Sequence, residues 1–446
     1  MMAFNAALIS ISNKDLFRVA IPIMIANVST PLLGVVDTMI IGQAPDPALI
    51  GSVAIASLIF TFIYWGFGFL RMGTAGLTAQ ALGADDHGEI RATLGRSILL
   101  AVTIGIILIS LQHPISELAF YLIQGSFRVE LLAKEYFDIR IWSAPATLTN
   151  YVVLGWLIAI GKARHALALQ LLLNISNMLI DIFFVLGLGM GVKGVALGTL
   201  LSEYGAAGIG VFTVFTIQKR LPGSWNMKRI VAKEKVLKSL SVNGDILIRS
   251  LALIVVFTWF TASSAALGDI TLAANAVLLH FLTVSAYFLD GIALAAEKFI
   301  GESVGQRSKR NFIDAAKLTT IWAAGIAALI SFCLLICGPA IINFMTVDPD
   351  VRALAKDFVI FAALAPFIGV WCFQLDGIFI GATATSFMRN SMLFSTLLFF
   401  VTWKGLEDFG NLGLWLSLLS HFIYRTITLY LKLPKVIKAV DHNPSN

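Results

Sequence analysis

Charged residues are scarce in this chain of 446 residues. They make up 13% of it, whereas soluble globular proteins carry about 25%, and hydrophobic residues make up 58%. This composition excludes a water-soluble globular protein, a disordered chain, a fibre and a disulfide scaffold. Cysteine is also rare. The three that occur, Cys333, Cys337 and Cys372, lie in apolar runs, which predicts small buried side chains rather than disulfides or a metal site.

The motifs of several enzyme classes are missing as well. The sequence has no GxxxxGK(S/T) segment for ATP, no His/Cys cluster with zinc spacing, and no nucleophile constellation of a hydrolase or kinase. We therefore expect no cofactor and no enzymatic activity. A membrane-embedded enzyme and a receptor are the alternatives from other functional classes.

Long apolar runs separated by short polar breaks fill most of the chain. A spanning helix needs about 20 apolar residues, and most of the runs are at least that long. The first run follows Lys14 and Arg18 and is too long for a cleavable signal peptide, so it is expected to be a retained helix. The pattern predicts an all-α integral membrane protein with twelve transmembrane helices. The runs lie near 15–41, 48–71, 92–112, 136–160, 165–188, 194–217, 237–264, 271–299, 314–338, 354–380, 387–403 and 412–431.

The basic residues concentrate on one side of these runs. They precede the first run, follow the even-numbered runs and crowd a segment at the middle of the chain, whereas the opposite loops are richer in acids. The positive-inside rule then predicts a multi-pass protein with both termini in the cytoplasm. The residues expected on the cytoplasmic side include Lys14, Arg18, Arg91, Arg96, Lys162, Arg164, Lys219, Arg220, Arg307, Arg389 and Lys432.

The chain resembles itself after about 222 residues. This offset places Gly83 on Gly305, and Gly161 falls near Gly381. An offset that spans an even number of helices predicts two six-helix lobes inserted the same way up and related by a pseudo-two-fold axis along the membrane normal. The expected domains are an N-terminal lobe at 1–217, a basic cytoplasmic linker at 218–236, a C-terminal lobe at 237–433 and a cytoplasmic tail at 434–446.

Ionisable side chains inside the apolar runs of the first half are the main functional candidates, because such groups are costly and rarely face lipid. Asp37 lies in the first run, and Asn177 and Asp181 share one helix face in the fifth. Thr199 and Glu203 have the same spacing in the sixth run. Their oxygens are predicted to hold Na⁺ or to exchange a proton; a structural ion pair or an interfacial position is the alternative.

Two prolines accompany Asp37 in the first run. Pro22 and Pro31 each remove a backbone donor, so we expect them to bend this helix. A bend that responds to the charge of Asp37 is therefore our hypothesis for the conformational step.

The second half carries its own ionisable candidates. Asp245 and Arg249 lie one turn apart, which is also compatible with an ion pair within one helix. Asp290 and Glu297 share a face of the eighth run, and Asp376 lies deep in the tenth. We treat these five as secondary candidates for ion or substrate binding. Three further polar residues are expected to pack or to lie near the interface: His280, His421 and Arg425.

Six short motifs along the runs carry a family resemblance. They are Pro22…Asp37-Thr38, Ala79-Gln80-Ala81-Leu82-Gly83, Asn177-x-x-x-Asp181, Asn243-Gly244-Asp245-Ile246-x-x-Arg249, Asp290-Gly291 and Asp376-Gly377-Ile378. Through these motifs nearly the whole chain resembles a transporter of the multidrug and toxic compound extrusion (MATE) family, most closely the bacterial DinF subgroup.

The resemblance implies an antiporter, driven by H⁺ or Na⁺, that exports amphipathic and often cationic compounds from a bacterial cell across the inner membrane. It also implies a cation site at the positions of Asp37, Asn177, Asp181 and Thr199. Other branches use a C-terminal site with a glutamate in the seventh span, where this chain has Arg249, so we place coupling in the first lobe and prefer protons. We expect a monomer. Its expected partners are the transported compounds and membrane lipids, and not nucleic acid. A flippase for lipid-linked precursors is the alternative within transport.

Overall fold

The structure, a computed structural model, describes residues 11–42, 46–123 and 125–441, without the side chains at 30–33, 35, 38 and 47. Nearly all of these residues are helical, which confirms the predicted all-α class. The helices are α1 (Asn13–Ile41), α2 (Pro47–Gly66), α3 (Phe69–Gly83), α4 (His87–Ser110), α5 (Gln112–Leu122), α6 (Phe127–Arg140), α7 (Ala144–Ala159), α8 (Ala163–Asp181), α9 (Gly191–Gln218), α10 (Met227–Ile230), α11 (Lys233–Ala266), α12 (Asp269–Gly305), α13 (Lys309–Met345), α14 (Pro349–Gly381), α15 (Thr385–Leu406), α16 (Asn411–Tyr430) and α17 (Leu433–Ala439).

Each apolar run predicted from the sequence lies in a helix or in a joined pair of helices. Within the described ranges, nine helical segments are long and apolar enough to cross a membrane. The runs at 15–41, 387–403 and 412–431 coincide with α1, α15 and α16, which are helical but not among those nine. The number of twelve spans therefore stays a prediction, while the multi-span architecture is confirmed.

Contacts between Cα atoms divide the described chain into two compact units. Unit 1 contains 11–24, 79–85 and 241–441, and unit 2 contains the remaining described residues up to 240. The start of α1 and the end of α3 thus pack with the second half of the chain. The lobe boundaries expected from the sequence stay a prediction.

The interior of each unit is aromatic, with its polar edges hydrogen-bonded. In unit 1, Phe260 packs edge-to-face on Trp415 with ring centroids 5.1 Å apart, and the Trp415 indole donates to Asn275 at 2.9 Å. In unit 2, Phe60 stacks on Phe137 at 5.2 Å. Such pairs place large apolar area in contact, and the buried indole N–H still finds an acceptor.

The predicted repeat is visible in the helix ends. Asp85 and Arg307 are non-glycine residues with φ of 53° and 54°, and they lie 222 residues apart. Gly161 and Thr383, with φ of 75° and 50°, are separated by the same offset. Gly161 therefore corresponds to Thr383, two residues beyond the Gly381 that the sequence comparison suggested, because the left-handed residue that ends the helix defines the register.

Two glycines of the repeat contact each other's helices in a reciprocal way within unit 1. A Cβ at Gly83 would lie 2.1 Å from the backbone oxygen of Glu302, and a Cβ at Gly305 would lie 2.1 Å from that of Gln80. The two partner positions are also related by the 222-residue offset, so the contact is self-complementary, as at a two-fold axis. The backbones approach this closely only because both positions lack a side chain.

The three cysteines differ in their surroundings. Cys372 is buried, as predicted, but Cys333 and Cys337 on α13 are exposed. Their neighbours Phe332 and Ile336 are exposed as well, at 61% and 62%. The prediction of burial was wrong for these two because an apolar run in a membrane protein has a face that packs on no other helix of the chain.

Two arginines of α4 bind the segment between α9 and α11 through hydrogen bonds. The sequence had suggested them only as markers of membrane orientation. Arg91 is 4% exposed, and its guanidinium donates to the carbonyl oxygens of Gln218, Leu221 and Pro222. Arg96, 7% exposed, reaches the backbone oxygens of residues 229 and 230. The basic linker is therefore hydrogen-bonded to the cytoplasmic end expected for α4.

An ion pair between α10 and the N-cap residue of α4 joins the same two segments. Arg229 Nη1 lies 2.7 Å from Asp86 Oδ1, and the Glu89 backbone N–H donates to the same carboxylate. Partial burial raises the pKa of Asp86, but these hydrogen bonds outweigh that effect, and its pKa lies below the ordinary value. Asp86 thus stays ionised at neutral pH.

Candidate functional site

The four residues predicted for the first lobe come together in the interior of unit 2. Asp37 of α1 and Asp181 at the end of α8 lie side by side, with Asn177 next to Asp181. Asn177 Nδ2 donates to Thr199 Oγ1 on α9 at 3.4 Å, and that hydroxyl donates to the Val195 carbonyl at 3.1 Å. Three helices therefore contribute to one polar cluster.

Local backbone features place Asp181 in this cluster. Asn177 and Asp181 lie one turn apart on the face of α8 that packs on α9. A Cβ at Gly198 of α9 would lie 1.8 Å from Asp181 Oδ1, so the carboxylate rests on a position that has no side chain. Directly after Asp181 the chain forms a π-helical turn, Ile182–Gly187, a feature that often occurs at functional sites.

The cluster contains more buried acceptors than donors. Asp181 is fully buried, and within the described part of the chain neither of its carboxylate oxygens has a hydrogen bond of good geometry, although Asp37 and Asn177 lie close to it. One buried oxygen each of Asp37 and Asn177 is also without a donor there. Buried acceptors of this kind are costly unless a proton or a cation satisfies them.

A second layer of charge surrounds the two aspartates. The Arg140 guanidinium donates to the Tyr136 hydroxyl at 2.6 Å and interacts electrostatically with Asp37 and Glu203. Glu203 in turn accepts a hydrogen bond of 2.7 Å from Asn150 Nδ2. With all of these groups ionised, three carboxylates face one guanidinium.

Arg140 was missed in the sequence, although the signal was present. It lies within the apolar run 136–160, so the criterion that selected Asp37 applies to it equally. Its guanidinium also lies over the Phe60 ring, 4.9 Å from the centroid, which lowers the cost of a buried cation.

Two prolines were predicted to bend α1. The helix runs from Asn13 to Ile41 through both positions, and Pro22 is buried. The side chain of Pro31 lies outside the described set, so the bend stays a prediction.

The secondary candidates of the second half form ion pairs between helices. Asp376 of α14 pairs with Arg249 of α11 and with Arg425 of α16. Asp245 pairs instead with Arg389 of α15 at 2.6 Å. The alternative of a pair between Asp245 and Arg249 within α11 is therefore wrong, because neighbouring helices offer both groups better-placed partners.

The remaining candidates lie on α12. Glu297 is 2% exposed, and its neighbour Lys298 is 8% exposed and bonded to Glu302 at 2.6 Å. Asp290 is half-buried beside Tyr287. Among the described residues, no group of three or more His, Cys, Asp or Glu side chains has a metal-binding arrangement.

Arg425 was expected to pack or to lie near the interface. It is 1% exposed, in line with the packed position and not the interfacial one, and its guanidinium also pairs with Asp376, which was not predicted. The sequence signal was an arginine near the middle of an apolar run, which an interfacial position explains poorly.

Comparison with known proteins shows the family of this chain. The sequence model of the MatE family matches residues 22–183 and 246–402. The DNA damage-inducible protein F of Escherichia coli (strain K12) is 38% identical over 423 residues, which cover 95% of this chain and 92% of that protein. The "Probable multidrug resistance protein NorM" of Thermotoga maritima is 22% identical, with 93% and 90% covered.

Solved structures share the fold at low sequence identity. A multidrug resistance MATE family transporter of the MOP superfamily in an outward-facing conformation superposes with a TM-score of 0.86 at 19% identity, covering 96% of this chain and 97% of that one. A MOP superfamily transporter from Pyrococcus furiosus gives 0.86 at 18% identity, with the same coverage. The predicted two-lobe fold and family resemblance are thereby confirmed. The chain belongs to the MatE family and is a multi-span membrane transporter, not an enzyme.

Proposed function

We propose that this transporter is a proton-coupled antiporter of the bacterial inner membrane that exports amphipathic, often cationic compounds. Coupling takes place at Asp37, Asn177, Asp181 and Thr199. The protein acts as a monomer with both termini in the cytoplasm. Its N-terminal lobe comprises 1–217 and its C-terminal lobe 237–433, joined by the linker 218–236 and followed by a tail at 434–446.

One observation carries this proposal: the fully buried Asp181 lies beside Asp37, and neither of its oxygens has a hydrogen bond of good geometry to a donor among the described residues. Two adjacent carboxylates in a site of low polarity repel each other, and a single bound proton relieves both the repulsion and the missing hydrogen bond. A site of this kind loads and releases protons as its access to water changes.

The charge of the cluster links the proton to the cargo. In the ionised state Asp37, Asp181 and Glu203 outweigh Arg140, and the excess negative charge favours a cationic compound. A proton that enters from outside removes part of this charge and weakens the hold on the cargo. In α1 the expected bend at Pro22 accompanies the neutralisation.

Na⁺ is the alternative coupling ion at the same residues. The available ligands are two carboxylates and the oxygens of Asn177 and Thr199, which are hard donors suited to such a cation. We prefer the proton because a single proton shared by Asp37 and Asp181 relieves their charge repulsion and supplies the missing hydrogen bond.

The test is efflux from proteoliposomes with ethidium as the probe and an imposed pH gradient as the driving force. Asp37→Asn and Asp181→Asn are each expected to abolish transport driven by the gradient, since the amide cannot exchange a proton. Asp357→Asn removes an exposed carboxylate of α14 and is the matched control that should transport normally. Normal gradient-driven export by Asp37→Asn would refute the proposal.

A second arm separates the two ions. Wild-type vesicles receive a Na⁺ gradient without a pH gradient, and we expect little export. Undiminished export in this arm would assign coupling to Na⁺ and refute proton coupling, while leaving efflux itself intact.

A further inference from the structure

A second buried cluster, in unit 1, contains more arginine than acidic side chains. The guanidinium groups of Arg249 and Arg425 both donate through Nη2 to one oxygen of Asp376, its Oδ2. The side chains of these three residues are 12%, 1% and 6% exposed, respectively. Three helices, α11, α14 and α16, thus bring two fixed cations to a single carboxylate.

Among the ion pairs of the described residues, both arginines of this cluster share one acid. Asp376 is the carboxylate with which Arg425 interacts, and it is also the ion-pair partner of Arg249. The acid one turn away on α11, Asp245, is already paired with Arg389. The two guanidiniums and Asp376 therefore carry one excess positive charge, which is costly in a site that excludes water.

The cluster also has hydrogen-bonding capacity to spare. Arg425 Nη1 and Arg249 Nε are buried and lack an acceptor among the described residues, whereas one acceptor of the cluster, Asp376 Oδ1, lacks a donor there. Unused donors therefore outnumber unused acceptors. Arginine has donors only, so an incoming group has to be an acceptor, and an anion satisfies the charge as well. The planar fork of a guanidinium matches a carboxylate in particular.

We propose that Arg249 and Arg425 bind the carboxylate of an amphipathic cargo, with Asp376 holding both guanidiniums in place when the site is free. The inference rests on the proposed efflux function and names the side chains that recognise the carboxylate of such a cargo.

The experiment compares two dyes that differ in one group: rhodamine B, which carries a free carboxylate, and its ethyl ester, which does not. Equilibrium binding to the purified transporter is measured by fluorescence anisotropy, and export is measured in proteoliposomes. Arg425→Gln is a suitable variant because it leaves the Arg249–Asp376 pair as a neutral unit. Arg310→Gln, an exposed arginine of α13 with 79% side-chain exposure, is the matched control.

Wild-type protein and the control are expected to prefer rhodamine B over its ester. In Arg425→Gln this preference should fall on the order of tenfold, as expected for the loss of a charge-assisted hydrogen bond, while the ester binds as before. An equal loss for both dyes, or no loss for either, would refute the inference and leave the cluster with a structural role only.

A free inorganic anion is the other source of the same chemistry. Replacing chloride by methanesulfonate, an anion without a carboxylate, should leave thermal stability and binding of rhodamine B unchanged. If chloride stabilises the wild type and not Arg425→Gln, the site holds chloride and the assignment to cargo is wrong. Because binding is measured without a gradient, the result is independent of proton coupling, which the export of the ester tests separately.

Discussion

The position of Asp181 can be tested without touching any ionisable group. Gly198 of α9 lies directly against its carboxylate: a methyl group there would lie 1.8 Å from Oδ1 and 3.0 Å from Cγ. Contacts of a Cβ below 3.0 Å are essentially never seen, so Gly198→Ala has to displace the oxygen by about 1.2 Å. The substitution therefore separates Asp181 from its place beside Asp37.

The cost to folding is expected to be small. The atoms in conflict belong to a side chain rather than to a packed backbone, and rotation of Asp181 away from its preferred rotamer costs about 0.5–1.5 kcal/mol. Alanine inside a helix is favoured over glycine by about 0.5–1 kcal/mol. The two contributions nearly cancel, so the free energy of unfolding should change by less than about 1 kcal/mol.

Transport, by contrast, depends on the geometry of the carboxylate pair. A site has to hold its groups within about 0.5 Å of the productive arrangement, so a shift of this size should reduce pH-driven ethidium export on the order of tenfold. Gly208→Ala, on the same helix with nothing within 4 Å of its Cβ, is the control that should keep full export.

Both variants are compared by thermal unfolding in detergent and by export from proteoliposomes. Full export by Gly198→Ala with normal stability would show that the position of the Asp181 carboxylate does not matter for coupling. Loss of export together with a large loss of stability would refute the argument that only a side chain has to move.

Gly83→Ala should destabilise the protein by about 1–3 kcal/mol in thermal unfolding, because its methyl meets the backbone of α12, whereas Gly325→Ala, with open space around it, should not; equal stability of the two would contradict the close contact. Arg91→Met removes the guanidinium that donates to three carbonyls at 218–222 and should speed tryptic cleavage of the linker several-fold, and an unchanged rate would count against a role of these hydrogen bonds in holding it. The lowered pKa of Asp86 means that its pair with Arg229 contributes above the ordinary carboxyl pKa and is lost only at more acidic pH. Asp86→Asn should therefore leave the pH profile of export unchanged from about pH 6 to about pH 8, and a shifted profile would oppose this reasoning.

Most of the fold could be predicted from local sequence features. Each helix that coincides with an apolar run was visible because a spanning segment has to satisfy its backbone internally and face lipid or other helices. The 222-residue repeat was visible because the same helix-ending residues recur, such as Gly83 and Gly305. The residue equivalent to Gly161 could be identified only from the backbone angles of the structure. The positive φ, and not the residue type, shows that it is Thr383.

The candidate site was also largely visible. Asp37, Asn177, Asp181 and Thr199 stood out because ionisable and polar groups are rare in such runs. Arg140 satisfied the same criterion and was still missed, since it lies near the beginning of its run and resembles an interfacial residue. Its contacts with Phe60 and Tyr136 became evident only from packing.

The sequence by itself determined which side chains have to be buried, because composition and hydropathy leave few ionisable groups inside the apolar runs. Only the tertiary structure decided their partners. Asp245 and Arg249 have the spacing of a pair within one helix, yet they bind Arg389 and Asp376 on other helices. The physical reason is that spacing along one helix fixes a face, whereas charge pairing depends on how neighbouring helices are aligned. The same alignment brings more carboxyl groups than guanidiniums together in unit 2, and two guanidiniums to one carboxyl group in unit 1.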